Sequence, residues 1–344
     1  MTDDPAAGAG PQRRSPPRRA AIIVGALALL APLAAAEVGA RALEERLPEP
    51  SVWGTPELPH KLALAPAEGA DVLVVGTSVT DAGLDPSQLD ELLDTQRPSF
   101  NGSLGAGSLP MVSFTTRHIW LPRLRPTVVV IGVISRDFNP NDPRQRATQR
   151  EFFSAPEIER LAGTEDIVER VDRWFTSTSV LWRHRSDLRS WTAIRGDAPP
   201  RWAPSQTDPD GQYLAFVDGQ YQPSERLFEF VRSGGLADWE LGADRVGALE
   251  SLIVSAQATG ARVLLVDMPT AADLVDIHPR GAADVNAYRA TVDDLARRLD
   301  IELVRPPQLG DELFADLVHV NAAGAAELTR LVAEALATDA GSPA

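Results

Sequence analysis

The chain of 344 residues contains no cysteine. That absence excludes disulfides, a thiolate nucleophile, cysteine-ligated zinc and a lipid anchor on cysteine, and it leaves the redox compartment open. Positive charge is also in deficit: 33 Lys and Arg stand against 48 Asp and Glu, for a formal net charge of −15. A sequence-independent nucleic-acid binder needs a basic face, so nucleic acid is not an expected partner. No histidines or carboxylates stand at metal-ligand spacing with a matching third ligand, so no metal is expected. No Gly-Lys-Ser/Thr run marks a phosphate cradle, which argues against a doubly wound nucleotide-binding protein, and no cofactor is implied. There is no internal repeat. What is present, 44% hydrophobic and 24% charged residues, is enough for a soluble body with a substantial core.

The N-terminus speaks to location. Residues 1–19 are rich in Pro, Ala and Gly, carry Arg13, Arg14, Arg18 and Arg19, and read as a disordered basic cytoplasmic tail. The uncharged run AAIIVGALALLAPLAAA over 20–36 follows. At ~1.5 Å per residue it spans roughly 25 Å, and continuing the helix to Leu43 makes up the ~30 Å of a hydrocarbon core. Arginines before the run and acids after it predict a cytoplasmic N-terminus and an extracytoplasmic body. The expectation is a single-pass transmembrane helix or signal anchor over 20–43. Cleavage after the small residues Ala34-Ala35-Ala36, giving a secreted protein, and a buried helix of the body are the alternatives.

Residues 44–70 carry Pro48, Pro50, Pro56, Pro59 and Pro66 without an apolar period and read as a linker. The body begins with the continuous apolar run Val72-Leu73-Val74-Val75, typical of a buried parallel strand. A helical stretch with Leu84, Leu89, Leu92 and Leu93 follows, then a short strand at Ser99-Phe100-Asn101 and an unmistakable one at Thr127 to Val133. Residues 140–240 hold Trp174, Trp182, Trp191, Trp202 and Trp239, many arginines and a Pro/Gly/Asp-rich middle. They read as an insertion, partly helical near 155–192, folded over the core. Regular order returns with a helix over 243–258, a strand over 262–267, a helix over 284–299, a strand over 301–304 and a last helix. Asn321 is the N-cap of that helix, and Leu328, Leu331, Val332 and Leu336 are its buried stripe. Alternating strands and helices predict a three-layer α/β/α sandwich with a flavodoxin-like parallel sheet of about five strands, spanning 71–338, with a disordered tail at 339–344.

In such a sheet ligands bind beyond the carboxyl ends of the strands. After the first strand comes Gly76-Thr77-Ser78, where a serine stands at a sharp turn. It is not the G-x-S-x-G elbow, because Thr80 replaces the second Gly, and a helix cap is the alternative reading. After the second strand comes Asn101-Gly102-Ser103-Leu104-Gly105-Ala106-Gly107-Ser108, whose glycines let backbone N–H groups approach a ligand. After the third comes Ile134-Ser135-Arg136-Asp137-Phe138-Asn139. After the last comes Asp316-Leu317-Val318-His319, an acid three residues before a histidine on a turn entering a helix, close enough for a carboxylate to orient an imidazole. His278 follows the fourth strand and could line the same cleft, while His60, His118 and His184 read as surface or packing residues.

This order of blocks resembles the SGNH/GDSL hydrolase superfamily over about residues 71–136 and 261–336, and with its N-terminal helix the chain is similar to membrane-anchored members acting on envelope polymers. The resemblance implies Ser78 as nucleophile, His319 as its general base and Asp316 as the group orienting the imidazole. It implies oxyanion donors at the N–H of Ser78 and of Gly105 or Gly107. The family's third donor, an Asn in a Gly-x-Asn-Asp block, has no counterpart in register, and Ser135 or Asn139 would have to stand in. The implied activity is that of an exported serine esterase or acyltransferase acting on O-acyl, expected to be acetyl, esters of a carbohydrate or another small-molecule or polysaccharide constituent of the cell envelope. The missing Asn and the Arg-rich insertion motivate an alternative, a non-catalytic envelope-binding or assembly protein on a degenerate hydrolase fold.

Overall fold

The computed structural model describes residues 18–43, 53–55, 57–163, 174–175, 178–183 and 204–339. The expected tail up to residue 17, the linker up to residue 52, His184, Trp191, Trp202 and residues 340–344 lie outside the described residues. The chain divides into two compact units, one of residues 1–50 and 170–196, the other of residues 51–169 and 197–344.

In the first unit a helix, α1 (Arg18–Leu43), runs through the expected spanning segment with Pro32 inside it. The side chains of residues 18–29 lie outside the described residues. Among the described residues no helix is long and apolar enough to cross a membrane. The carboxylate of Glu37 accepts from Ser179 Oγ at 2.8 Å and from the N–H groups of Val180 at 2.9 Å and Leu181 at 3.2 Å. It thereby satisfies the orphan donors that open the one-turn helix Val180–Arg183.

The second unit begins with α2 (Glu57–Leu64), which corrects the reading of 44–70 as linker throughout. The prolines of 44–70 suggested an extended chain, yet Pro is tolerated in a first helical turn, where Pro59 stands, and Leu58 and Lys61 are completely buried. Five parallel strands follow: β1 (Val72–Val75), β2 (Phe100–Asn101), β3 (Val128–Val133), β4 (Arg262–Asp267) and β5 (Glu302–Val304), in the order β2-β1-β3-β4-β5. This α/β arrangement is the flavodoxin order. Leu73 lies opposite Phe100 on one side and Val129 on the other, and Val130 opposite Leu264.

Between β1 and β2 lie α3 (Ser78–Gly83) and α4 (Pro86–Leu93), the latter opened by Asp85, whose side chain accepts from Gln88 N. Between β2 and β3 runs α5 (Leu109–Thr115), continued through a π turn at Thr116–Trp120 into α6 (Leu121–Leu124). The expected insertion holds α7 (Pro143–Phe153), α8 (Pro156–Ala162) and α9 (Glu225–Arg232). Then come α10 (Ala243–Ala258) before β4, α11 (Asp273–Ile277) and α12 (Ala282–Leu299) before β5, and α13 (Ala322–Asp339). Helices α3 and α4 pack on α13, and α5 and α12 on α10. The sheet therefore has a helical layer on each face.

Helix α3 starts two residues after β1 ends and lies directly on the sheet. A Cβ added at Gly76 would come within 2.1 Å of Thr80 Oγ1 and 2.8 Å of Gly132 O, and one at Gly132 within 2.2 Å of Thr80 Oγ1 and 3.0 Å of Met268 Sδ. Two glycines on neighbouring strands thus make the seat for fully buried Thr80. Gly132→Ala should lower stability by about 1–3 kcal/mol through this overpacking, read as a reduced urea midpoint at unchanged slope. A midpoint equal to wild type would show that α3 has room to move.

Candidate active site

From Val72 to Leu84 every residue is buried except Ser78. Thr77 carries the strand one step further by bridging Leu104, and its Oγ1 donates to Asp137 Oδ1 at 3.1 Å. Ser78 is then the first residue of α3. Its side chain leaves the chain where strand becomes helix, at the carboxyl edge of the sheet.

His319 reaches Ser78 from the far end of the sequence, with Nε2 2.9 Å from Ser78 Oγ across a separation of 241 residues. Its Nδ1 is 2.8 Å from Asp316 Oδ2 and 3.0 Å from Oδ1. Asp316 Oδ1 also accepts the N–H groups of Val318 at 2.9 Å and His319 at 2.8 Å. A carboxylate facing Nδ1 selects the tautomer with Nδ1–H, so the Nε2 lone pair faces the serine and the hydroxyl donates to it. The turn is braced by Ala315 N–H on His319 O at 2.8 Å and by Asn321, whose Nδ2 donates to Glu312 O at 2.7 Å while its Oδ1 caps Gly324 N. Phe216, from the insertion, stacks on the imidazole at 3.8 Å and 7°. The insertion is tied down there by Ala322 N–H on Val217 O and Tyr221 N–H on Phe314 O. No feature of the sequence near Phe216 announces this contact.

A second array of the same residue types lies after β3. Ser135 Oγ is 2.9 Å from His278 Nε2, and His278 Nδ1 is 3.7 Å from Asp284 Oδ2. Here the third member is spent elsewhere: Asp284 accepts from Arg280 Nε at 2.5 Å and from Arg280 N at 2.9 Å, and His278 Nδ1 has no hydrogen-bond partner among the described residues. Burial lowers His278 to about 4, and Asp284 opposes this only in part. A histidine held neutral with so little appetite for a proton is a poor general base near neutral pH. His319 has its carboxylate at hydrogen-bond distance and His278 does not, so of the two hydroxyls only Ser78 faces an imidazole backed by a carboxylate.

The remaining expected site residues are placed as follows. Gly105 donates its N–H to Glu57 Oε2 at 2.8 Å, and Gly107 donates its N–H to Leu104 O at 3.1 Å. Neither N–H is free for an oxyanion in this structure, which corrects the expectation for both. From Gly102 to Gly107 only the Ala106 N–H makes no hydrogen bond among the described residues, and Ala106 holds a left-handed φ of 52°. The Ser78 N–H faces Leu104 O through the Thr77–Leu104 bridge. Ser135 is engaged with His278 rather than presented to Ser78. Asn139 does not reach back: its Nδ2 donates to Gly235 O at 3.0 Å and Ala237 O at 2.9 Å, anchoring the insertion. Among the described residues no group of His, Asp and Glu could hold a metal ion. Two cavities lie elsewhere, one of about 640 Å³ beside Arg117, His118 and Pro122, and one of about 340 Å³ that includes Ser135, Tyr288 and Arg305.

No protein-family model and no curated protein matches the chain. Among solved structures it is similar in outline to a family two carbohydrate esterase from Clostridium thermocellum in complex with cellohexaose, at 10% identity over 80% of this chain and 66% of that one, with a TM-score of 0.41. A carbohydrate acetylesterase from Sinorhizobium meliloti matches at 10% identity over 78% and 99%, with a TM-score of 0.40. A GDSL-like lipase from Bacteroides thetaiotaomicron matches at 12% over 78% and 88%, with a TM-score of 0.38.

The site has a stability signature in acid. Burial pushes the Asp316 carboxyl up, but the imidazole of His319 and the N–H groups of Val318 and His319 outweigh it and hold it at about 2, below its ordinary 3.8. A lowered folded-state value adds stability above about pH 4 that fades as pH falls through about 2. Asp316→Asn should therefore be destabilised by on the order of 2 kcal/mol at pH 6, with the gap to wild type closing toward pH 2. Denaturant midpoints at pH 6, 4 and 2 measure this, and a gap that stays constant would rule out the charge as its source.

Proposed function

We propose that the chain is a serine esterase or O-acyltransferase acting on O-acyl, specifically O-acetyl, esters of carbohydrates or other cell-envelope molecules. The observation that carries the reading is the 2.9 Å contact between Ser78 Oγ and His319 Nε2, with Asp316 on the other ring nitrogen. Ser78 Oγ attacks the acyl carbonyl carbon while its proton passes to Nε2. The C=O π pair becomes an oxyanion, for which the Ala106 N–H is the open donor and the Ser78 N–H a second once it turns from Leu104 O. As the tetrahedral centre collapses, the bond to the alcohol oxygen breaks, and the alcohol takes the proton from Nε2. Water, or an alcohol acceptor in a transfer reaction, then attacks the acyl-serine, giving its proton to His319, which returns it to Ser78 Oγ.

A second reading is a binding or assembly protein on an inactive scaffold. It is favoured by the absence of a side-chain oxyanion donor after β3, where Ser135 and Asn139 are both committed elsewhere.

For location we propose a single-pass membrane protein with a cytoplasmic N-terminus and the second unit outside. Support comes from the uncharged run over 20–36 behind four arginines. Further support comes from the exposed apolar side chains of the first unit, Leu30, Leu33, Val38, Trp174, Phe175 and Trp182. The full-length protein should stay in the membrane pellet through alkaline carbonate washing. Recovery as a soluble chain beginning near Glu37 would mean cleavage instead.

A fluorophosphonate probe and an activated acetyl ester test the chemistry together. The wild-type protein should be labelled at Ser78 and should hydrolyse the ester. Ser78→Ala should lose labelling and about 10⁴-fold or more in kcat, as removal of a catalytic serine does. Ser135→Ala should change kcat less than about tenfold, because Ser135 lacks an activated base. Retained activity in Ser78→Ala would move the nucleophile elsewhere, and a wild-type protein without labelling or hydrolysis would favour the inactive scaffold.

A further inference from the structure

Behind the candidate site lies a buried ionic cluster that the acyl-transfer chemistry does not itself use. Lys61, the only lysine of the chain, is completely buried on α2. Its Nζ donates to Asp81 Oδ1 at 2.6 Å on α3 and to Ser103 O at 2.8 Å in the loop after β2, and lies 3.3 Å from Glu57 Oε1 one turn back on its own helix. Glu57, 2% exposed, accepts the Gly105 N–H on Oε2 at 2.8 Å. One helical turn thus grips the loop at Ser103 and Gly105 and the nucleophile-bearing helix at Asp81.

We propose that Glu57 and Lys61 are positioning residues that fix the loop carrying the Ala106 N–H against the helix that begins at Ser78. The inference rests on the esterase reading above. With Gly105 N–H drawn to Glu57 and Gly107 N–H returned to Leu104 O, the residue between them takes the left-handed turn and keeps its own N–H unspent. A Cβ on Gly105 would stand 3.0 Å from Glu57 Oε2, so glycine at 105 answers to the clamp.

The charges of the clamp balance only with a proton. It holds one ammonium and two carboxyl groups, with Asp81 completely buried. Glu57 Oε1 and Asp81 Oδ2 are both buried without a hydrogen-bond partner, and the Glu57 carboxyl stands close enough to push Asp81 up. One proton held between these two oxygens would pair them and make the cluster neutral. Burial first, and then Glu57, push Asp81 well above the usual carboxylate range against the pull of Lys61. The groups facing the pair are Lys61 from α2 and Tyr213 from the insertion. The Tyr213 phenol is pushed up by burial and then by Glu57 and Asp81. Because Asp81 is raised on folding, stability relative to an unperturbed aspartate falls as pH rises through its folded value. Loss of the shared proton in alkali leaves a net negative charge against the loop.

Glu57→Gln and Asp81→Asn separate this role from a general packing role. An Asn at 81 mimics the protonated acid, accepting from Lys61 through its oxygen and donating to Glu57 through its amide. A Gln at 57 must turn an NH₂ group toward either Lys61 or the Gly105 N–H. Glu57→Gln should therefore lower kcat by about 10²-fold, the effect of losing an oxyanion donor, with KM changed less than about threefold. It should also speed amide hydrogen exchange across 102–107 at a thermal midpoint still well above assay temperature. Asp81→Asn should keep kcat within about tenfold of wild type and carry activity to higher pH. Wild-type kcat with unchanged exchange in a folded Glu57→Gln, or an equal loss in both variants, would overturn the proposal. If the wild-type protein neither hydrolyses the ester nor labels at Ser78, the esterase reading fails, and the exchange comparison by itself decides whether the clamp holds the loop.

Discussion

The parallel pairing of β1 with β3, Val72 opposite Val128 through Val75 opposite Ile131, is the constraint on which the site depends. It sets Gly76 and Gly132 side by side, and only between two glycines can Thr80 seat α3 so close to the strands. Because α3 follows β1 after two residues, no loop slack separates the strand from Ser78. Thr77 removes what freedom is left, held by Leu104 on one side and Asp137 on the other. A side chain fixed by rigid elements on both sides can be met by a partner 241 residues away only if that partner is equally braced. The turn at 313–321 is braced by its own bridge between Phe314 and Val320 and by the Asn321 side chain. The sheet brings the two together at its carboxyl edge, where doubly wound folds carry their ligands.

The comparison of Ser78 with Ser135 shows how little residue type decides. Both hydroxyls stand 2.9 Å from a histidine Nε2, and both histidines have an aspartate near Nδ1. The difference lies in where the carboxylate's lone pairs go. Asp316 turns them on the imidazole and on two N–H groups of its own turn, and is held ionised. Asp284 turns them on Arg280, which leaves His278 buried with no stabilised place for a proton. An imidazole becomes a base through its third neighbour.

What was legible in the sequence follows the range of the forces involved. Buried parallel strands are continuous apolar runs, so Val72–Val75, Val128–Val133 and Arg262–Asp267 could be read directly, and a strand order with alternating helices follows from few rules. Asp316 and His319 lie three apart, so their pairing is local and visible. The illegible features are those where a local signal pointed the wrong way. Pro56 and Pro59, and the lack of an apolar period, made α2 look like linker. Glycine preference favoured Gly105 or Gly107 as the open donor, yet Ala106 takes the left-handed turn, because Glu57 captures its neighbour. Asn139 has the chemistry of an oxyanion donor but is bonded to backbone 96 and 98 residues further on. Such partners are set by tertiary folding, and a linear pattern does not carry them.

The use of a single lysine in a chain otherwise supplied with arginine has a geometric reason. A guanidinium presents its donors in one plane, suited to a carboxylate met face on, as where Arg97 meets Asp71 and Arg305 meets Asp267 at 2.8 and 2.9 Å. The cluster under α3 asks for something else. Its acceptors, Asp81 Oδ1, Ser103 O and Glu57 Oε1, come from three separate elements and surround one point. A compact ammonium donates to the first two and pairs by charge with the third, whereas a buried guanidinium would bring five N–H groups to the same point. An ammonium is also a point charge small enough to be enclosed completely, so one proton between two carboxyl groups can balance it. The fold thereby joins α2, α3 and the loop after β2 through one enclosed charge.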